Sequence, residues 1–190
     1  LETARLISQF RVPSQVLFCA FNLEELNMIG STAFAKKLKA AGANIAAMIS
    51  LEMVGYTDPR PGSQKLPVGL ASLYPDRGDF IGVIGNWRSN ALLRKFSGLM
   101  REVADLQVET LSVPGEGMLV PAARLSDHAP FWDLGFPALM LTDTAFYRNP
   151  HYHRPTDTLD TLNLDFMAQV CAGVVRAVAG LEAPRQVKNQ

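Results

Sequence analysis

Two adjacent acids, Glu24 and Glu25, stand where the apolar run Gln15–Phe21 gives way to a helical pattern opening at Leu26. Neighbouring side chains point in different directions, so such a pair can divide two jobs: one carboxylate binds a metal while the other takes a proton from a water held there. The same pair in the first turn of a helix would also complement the helix dipole. A third acid, Glu52, lies late in the apolar stretch SLEMVGY. A carboxylate flanked by Leu51, Met53 and Val54 is costly to bury alone, and either a metal or a cationic side chain would satisfy it. In residues 149–158 (NPHYHRPTDT), His151 and His153 precede Asp157. If His153 enters a helical turn, Asp157 reaches its ring as the carboxylate that orients a metal-bound imidazole, although a bare His-x-His equally suits a solvent-facing turn. Asp127 and His128, in RLSDHAPF, open a short helix, where Asp127 is either a cap or a polar group beside a site.

The elements that must position these groups alternate along the chain. Leu1, Ala4, Ile7 and Phe10 are spaced as the buried stripe of a helix ending near Arg11–Pro13, with no cap or signal segment before it, so the chain reads as cut from something longer. Gln15–Phe21 is expected as a strand buried on both faces. A helix follows from Leu26 to a C′ glycine at Gly42, then a strand within Asn44–Val54. Pro and Gly density makes Thr57–Leu73 a loop excursion. Phe80–Ile84 is a strand, Asn90–Asp105 a helix, Gln107–Val113 a strand and Pro114–Pro121 a loop. Asp127–Leu134 is a short helix, Pro137–Leu141 a strand, and Asn163–Leu181 an amphipathic helix. This alternation predicts one α/β domain over residues 1–190, a three-layer sandwich with helices on both faces of a mainly parallel mixed sheet. Functional groups then collect at the carboxyl ends of the strands, where Glu24, Glu25 and Glu52 fall.

Taken in order, VLFCAFNLEELNMIGSTAFA, NIAAMISLEMVGY, SDHAPFWDLGFPALML and HYHRPTDTLDTL resemble the di-zinc exopeptidases, the family of aminopeptidase Y, the bacterial co-catalytic-zinc aminopeptidases and the glutamate carboxypeptidase catalytic domains. The resemblance implies a peptidase acting on peptides, with Glu24 as general base, Glu25 and His153 as ligands of one zinc and Glu52 as a ligand of the other. It places Asp127 and His128 near the site, with Asp157 and Tyr152 as further supporting or pocket residues. Asn27 stands where the family usually has Gly, and Glu52 where Asp is commoner. The family's upstream His-x-Asp segment and bridging Asp have no counterpart in these residues. The 190 residues alone are therefore expected to be metal-free, or to hold one weakly bound ion, and to be inactive. Glutaminyl cyclases and non-catalytic peptidase-like receptors share the resemblance. The double acidic-ligand pattern favours the peptidase over the first, and the retained Glu24, Glu25 and His153 favour it over the second.

Composition narrows the remaining choices. Lys+Arg 18 against Asp+Glu 18 leaves no net charge, so no nucleic-acid footprint is present. No apolar stretch is long enough to span a bilayer. Cys19 and Cys171 read as buried free thiols. Phe131, Trp132, Phe146, Tyr147 and Tyr152 are candidates for an apolar side-chain pocket, and the loops Thr57–Leu73 and Pro114–Pro121 for its rim. Compartment and oligomeric state are not legible.

Overall fold

The computed structural model describes residues 1–181 apart from Arg11, Pro13, Ser14, Val68 and Ala71. The elements run α1 (Glu2–Ile7), α2 (Ile29–Ala40), β1 (Met48–Glu52), β2 (Phe80–Asn86), α3 (Asn90–Met100), β3 (Gln107–Val113), α4 (Ala129–Asp133), β4 (Ala138–Thr142) and α5 (Leu164–Gly180). β1 pairs parallel with β4 and β2 parallel with β3, while β2 runs antiparallel to β4, giving the order β1-β4-β2-β3. Only β1 and β4 bring their carboxyl ends to the rim that carries Glu52, and β2 and β3 reach it with their amino ends.

Period-two alternation sorts the strand residues onto two faces. Ile49, Ile81, Val83, Val108, Leu139 and Leu141 pack against Phe96 and Met100 of α3 and Val170 and Val174 of α5. On the opposite face Met48, Ile84, Leu111, Val113 and Ala138 meet Ala35 of α2 and Phe131 and Trp132 of α4. These are the two helical layers of an α/β sandwich. The fully buried Phe96 and Trp132 sit at their centres, each contributing roughly 1.5–3 kcal/mol or more by leaving water.

Local chemistry sets the helix ends. Gly42, at φ +62°, follows α2 as expected; its N–H donates to the Lys39 carbonyl at 3.1 Å and that of Ala43 to Leu38 at 3.0 Å, a Schellman ending. The Asn163 side chain caps α5 by accepting the Phe166 N–H. Among the described residues no helix is long and apolar enough to cross a membrane.

The expected strand Gln15–Phe21 is not one. Among the described residues of this stretch there is no ladder partner, and Leu17, Phe18 and Cys19 are exposed, so the apolar run has neither the pairing nor the two covered faces that a buried strand needs. Its last residue is anchored, Phe21 packing its ring against Phe34 and Phe131. Cys19 is accordingly not a buried thiol, and Cys171 is half-buried against the Thr3 hydroxyl. The first helix stops at Ile7, short of Phe10, and the expected boundary at Arg11–Pro13 falls partly outside the described residues.

Candidate active site

Glu24 and Glu25 sit on a tight loop whose backbone folds back on itself. Met28 N–H donates to the Glu24 carbonyl at 2.8 Å, Ile29 to Leu23 and Gly30 to Asn22. Turning this sharply places Leu23, Asn27 and Met28 at positive φ. Asn27, at φ +68°, is therefore at a position whose geometry calls for Gly or Asn, which accounts for one of the two departures from the family pattern. Gly30 is required for a different reason. A Cβ there would lie 2.6 Å from the Asn22 carbonyl oxygen, so only glycine lets the start of α2 close the loop.

The loop brings Glu25 to His153, whose Nε2 lies 3.0 Å from the carboxylate Oε1 across 128 positions of sequence. Tyr152 stacks on the imidazole at 3.9 Å between ring centroids and 13° between planes, which fixes the ring's orientation. His151 turns elsewhere, its Nδ1 3.0 Å from the Thr156 hydroxyl and its ring edge-on to Tyr56. The expected support from Asp157 is corrected. His153 has φ +55° and does not enter a helical turn; the exposed Asp157 makes no hydrogen bond to its ring, the Asp157 N–H instead donating to the Arg154 carbonyl.

Glu52 ends β1 on the face shared with Ser50, whose hydroxyl is 2.8 Å from that of Ser126. Burial pushes the Glu52 carboxyl up to about 7, with the charges of Glu24, Glu25 and Asp127 adding to the rise and a hydrogen bond from Ser126 offsetting part of it. Glu24 is raised for the same reasons, burial first and then Glu25 and Asp127, with His153 acting in the opposite direction. Four carboxylates thus share one electrostatic neighbourhood with a single imidazole. Asp127 keeps a buried carboxylate oxygen with no hydrogen bond and caps no helix. An oxygen-rich, electron-donating set with an orphaned buried oxygen and surplus negative charge suits a divalent metal. Among the described residues no three His, Cys, Asp or Glu side chains converge on one point, so the set provides the Glu25–His153 pair and Glu52 rather than a closed cage.

His128 is corrected as well. It is fully buried, its Nε2 2.7 Å from the Ala123 carbonyl and its ring edge-on to Trp132, so it braces α4 from beneath and does not line the cleft beside Glu52. Burial lowers its pKa to about 4.

Sequence reasoning missed two buried ions behind the rim. Asp143 follows β4 and accepts hydrogen bonds from the N–H groups of Gly55, Tyr56 and Ala145, tying together the loops that leave β1 and β4. Arg148 spans from there to the Phe80 carbonyl and the Gln64 side chain, stacked on the Phe80 ring at 4.6 Å. The available signal was an acid directly after an apolar strand in LMLTDT. Beside the acids a cleft opens, lined by Glu52, Tyr152, Phe146 and Tyr147 with Leu66 and Leu70 from the first loop excursion and Val120 from the second. Phe131 and Trp132 belong to the core instead.

The family model of Peptidase family M28 matches residues 1–178. The uncharacterized protein YfbL of Escherichia coli is 42% identical over 178 residues, covering 92% of this chain and 54% of that protein. Leucine aminopeptidase 1 of Fusarium vanettenii is 26% identical over 84% of this chain and 36% of its own length. The chain therefore spans about half, or less, of the length of these relatives. LapB from Legionella pneumophila superposes with a TM-score of 0.69 at 22% identity, over 95% of this chain and 44% of that one, a likeness of fold. A family match along nearly the whole described chain, joined to an acid pair, a strand-end acid and a histidine meeting at one rim, makes this chain a member of peptidase family M28.

Proposed function

We propose that the protein is a zinc-dependent exopeptidase, an aminopeptidase that removes residues from the amino ends of peptides. The observation that carries this reading is the meeting of Glu25 with His153 beside Glu24 and Glu52 in a chain of this family, and relatives named leucine aminopeptidase and probable zinc metalloprotease support it. Glu25 and His153 would hold one zinc and Glu52 a second. Bound zinc would polarise the scissile carbonyl and make water acidic enough to attack at neutral pH. Glu24 takes the proton from the attacking water and hands it to the leaving amine. Tyr152 keeps the His153 ring in register through stacking. Catalytic zinc sites normally draw three protein ligands, and this chain offers two to one ion and one to the other, so the activity is proposed for the full-length gene product.

Glu24→Gln keeps the size of the side chain but cannot accept the proton. In the full-length gene product it should lower turnover by roughly 10²-fold or more while zinc content by mass spectrometry stays unchanged. Glu25→Gln should lose zinc. An exchange of these two outcomes would exchange the roles, and unchanged turnover in Glu24→Gln would remove Glu24 from the mechanism.

A further inference from the structure

The pairing of the strands sets four positions in one row across the sheet. Glu52 of β1 pairs with Thr142 of β4, Thr142 with Gly82 of β2, and Gly82 with Glu109 of β3. Directly paired residues share a face, so Glu52 and Glu109 look out of the same side of the sheet, separated by three strand spacings, roughly 14 Å between backbones. Between them the row has only a threonine and a glycine, and the absence of a side chain at Gly82 leaves the floor of the cleft open from one acid to the other. Glu52 and Glu109 both line that cleft. Its walls are apolar and aromatic, including Leu66, Leu70, Phe146 and Tyr152.

Glu109 has no counter-charge of its own. Among the described residues it takes part in none of the ion pairs. Arg101, which shares the groove at the α3–β3 corner with Glu109, directs its guanidinium to the Val108 carbonyl at 2.8 Å. Arg148, behind the cleft, is occupied by Gln64, the Phe80 carbonyl and the charges of Asp143 and Asp79. Tyr74 stands beside Glu109, its hydroxyl donating to the Thr110 carbonyl at 2.9 Å and its pKa raised by burial and then by the Glu109 charge. An unpaired carboxylate at the far end of an apolar trough is complementary to a guest with a long hydrocarbon stem and a cationic tip.

We propose that the cleft selects a lysine or arginine side chain and that Glu109 is the residue that recognises its charge. Calling that guest the amino-terminal residue of a peptide rests on the aminopeptidase reading above; the recognition itself does not.

The test is calorimetric titration of the full-length gene product with L-lysinamide and with L-norleucinamide, which keeps the α-amino group and a similar apolar stem but has no side-chain ammonium. Lysinamide should bind about tenfold or more tightly than norleucinamide, as a partly desolvated charge pair would give. Glu109→Gln should abolish the difference and Glu109→Leu should reverse it, with circular dichroism of both variants matching the parent. Equal binding of the two amides by the parent, or a lysinamide preference surviving in Glu109→Gln, overturns the proposal. Hydrolysis of lysyl and norleucyl anilides separates the two readings. If neither is cleaved while Glu109-dependent lysinamide binding persists, the peptidase reading fails and the recognition stands. If norleucyl anilide is cleaved as well as lysyl anilide, and Glu109→Gln changes neither, the recognition fails and the peptidase reading stands.

Discussion

His128 and Glu52 show how far burial alone separates two ionisable groups. His128 is held neutral in the core, its pKa near 4 against an ordinary 6.5, with its ring between the Ala123 carbonyl and Trp132. Between those values the unfolded chain binds a proton that the folded chain refuses. Stability from this residue is therefore complete above about pH 6.5 and is lost as pH falls toward 4, by up to ~3 kcal/mol. Chemical denaturation of the parent and His128→Gln at several pH values should show the difference between them shrinking as pH drops through that window. A difference independent of pH would mean that His128 titrates alike in the folded and unfolded chains. Nothing about the Asp127–His128 dipeptide distinguishes these fates in advance. Adjacent side chains point apart, and only the packing of α4 decides that Asp127 faces the acids while His128 faces the core.

At the scale of elements, the acid-bearing loop rests on backbone conformation more than on contacts. Asn27 at φ +68° and Gly30 against Asn22 are the positions where residue type is constrained. Asn27→Ala should cost about 1 kcal/mol in guanidinium denaturation and Asn27→Gly should be neutral or slightly stabilising. Gly30→Ala must move backbone rather than a flexible side chain, and should cost about 1–3 kcal/mol. A cost for Gly30→Ala no larger than that for Asn27→Ala would show that the loop has slack which the 2.6 Å approach denies. Most elements could be read from the chain because they bury one face: β2, β3 and α5 lie within a few residues of their sequence-based bounds. Gln15–Phe21 could not, because an apolar run reports a demand for cover and says nothing of whether cover is present. The family pattern pointed to His153, the histidine whose ring meets Glu25, whereas the expected contact with Asp157 is not made. That inference assumed a helical turn, and His153 at positive φ breaks it.

Across the whole molecule, the acids of the candidate site gather at the rim where two parallel strands end and two others begin. Sheet order was not legible in the sequence, because alternating strands and helices specify layers and leave the neighbours of each strand undetermined. Without the order, Glu109 is an ordinary surface acid on β3; with it, the residue shares a row with Glu52. The net charge of zero, 18 Lys and Arg against 18 Asp and Glu, gives no sign of the carboxylates gathered at this rim.

Asp143 draws the amides of Gly55, Tyr56 and Ala145 onto one carboxylate, so the segments after β1 and β4 cannot loosen independently. Their opening is expected to be a single event with a single free energy, felt at Glu52 on one side and at the Tyr152–His153 stack on the other. In hydrogen–deuterium exchange these three amides should exchange at a common rate under conditions where closing is fast. Asp143→Ala, which takes the side-chain acceptor from all three N–H groups, should accelerate them together while the amides of β3 stay as protected as before. Separate rates for Gly55 and Ala145 in the parent would show that the loops open one at a time. A common rate would make this carboxylate the latch through which the rim breathes.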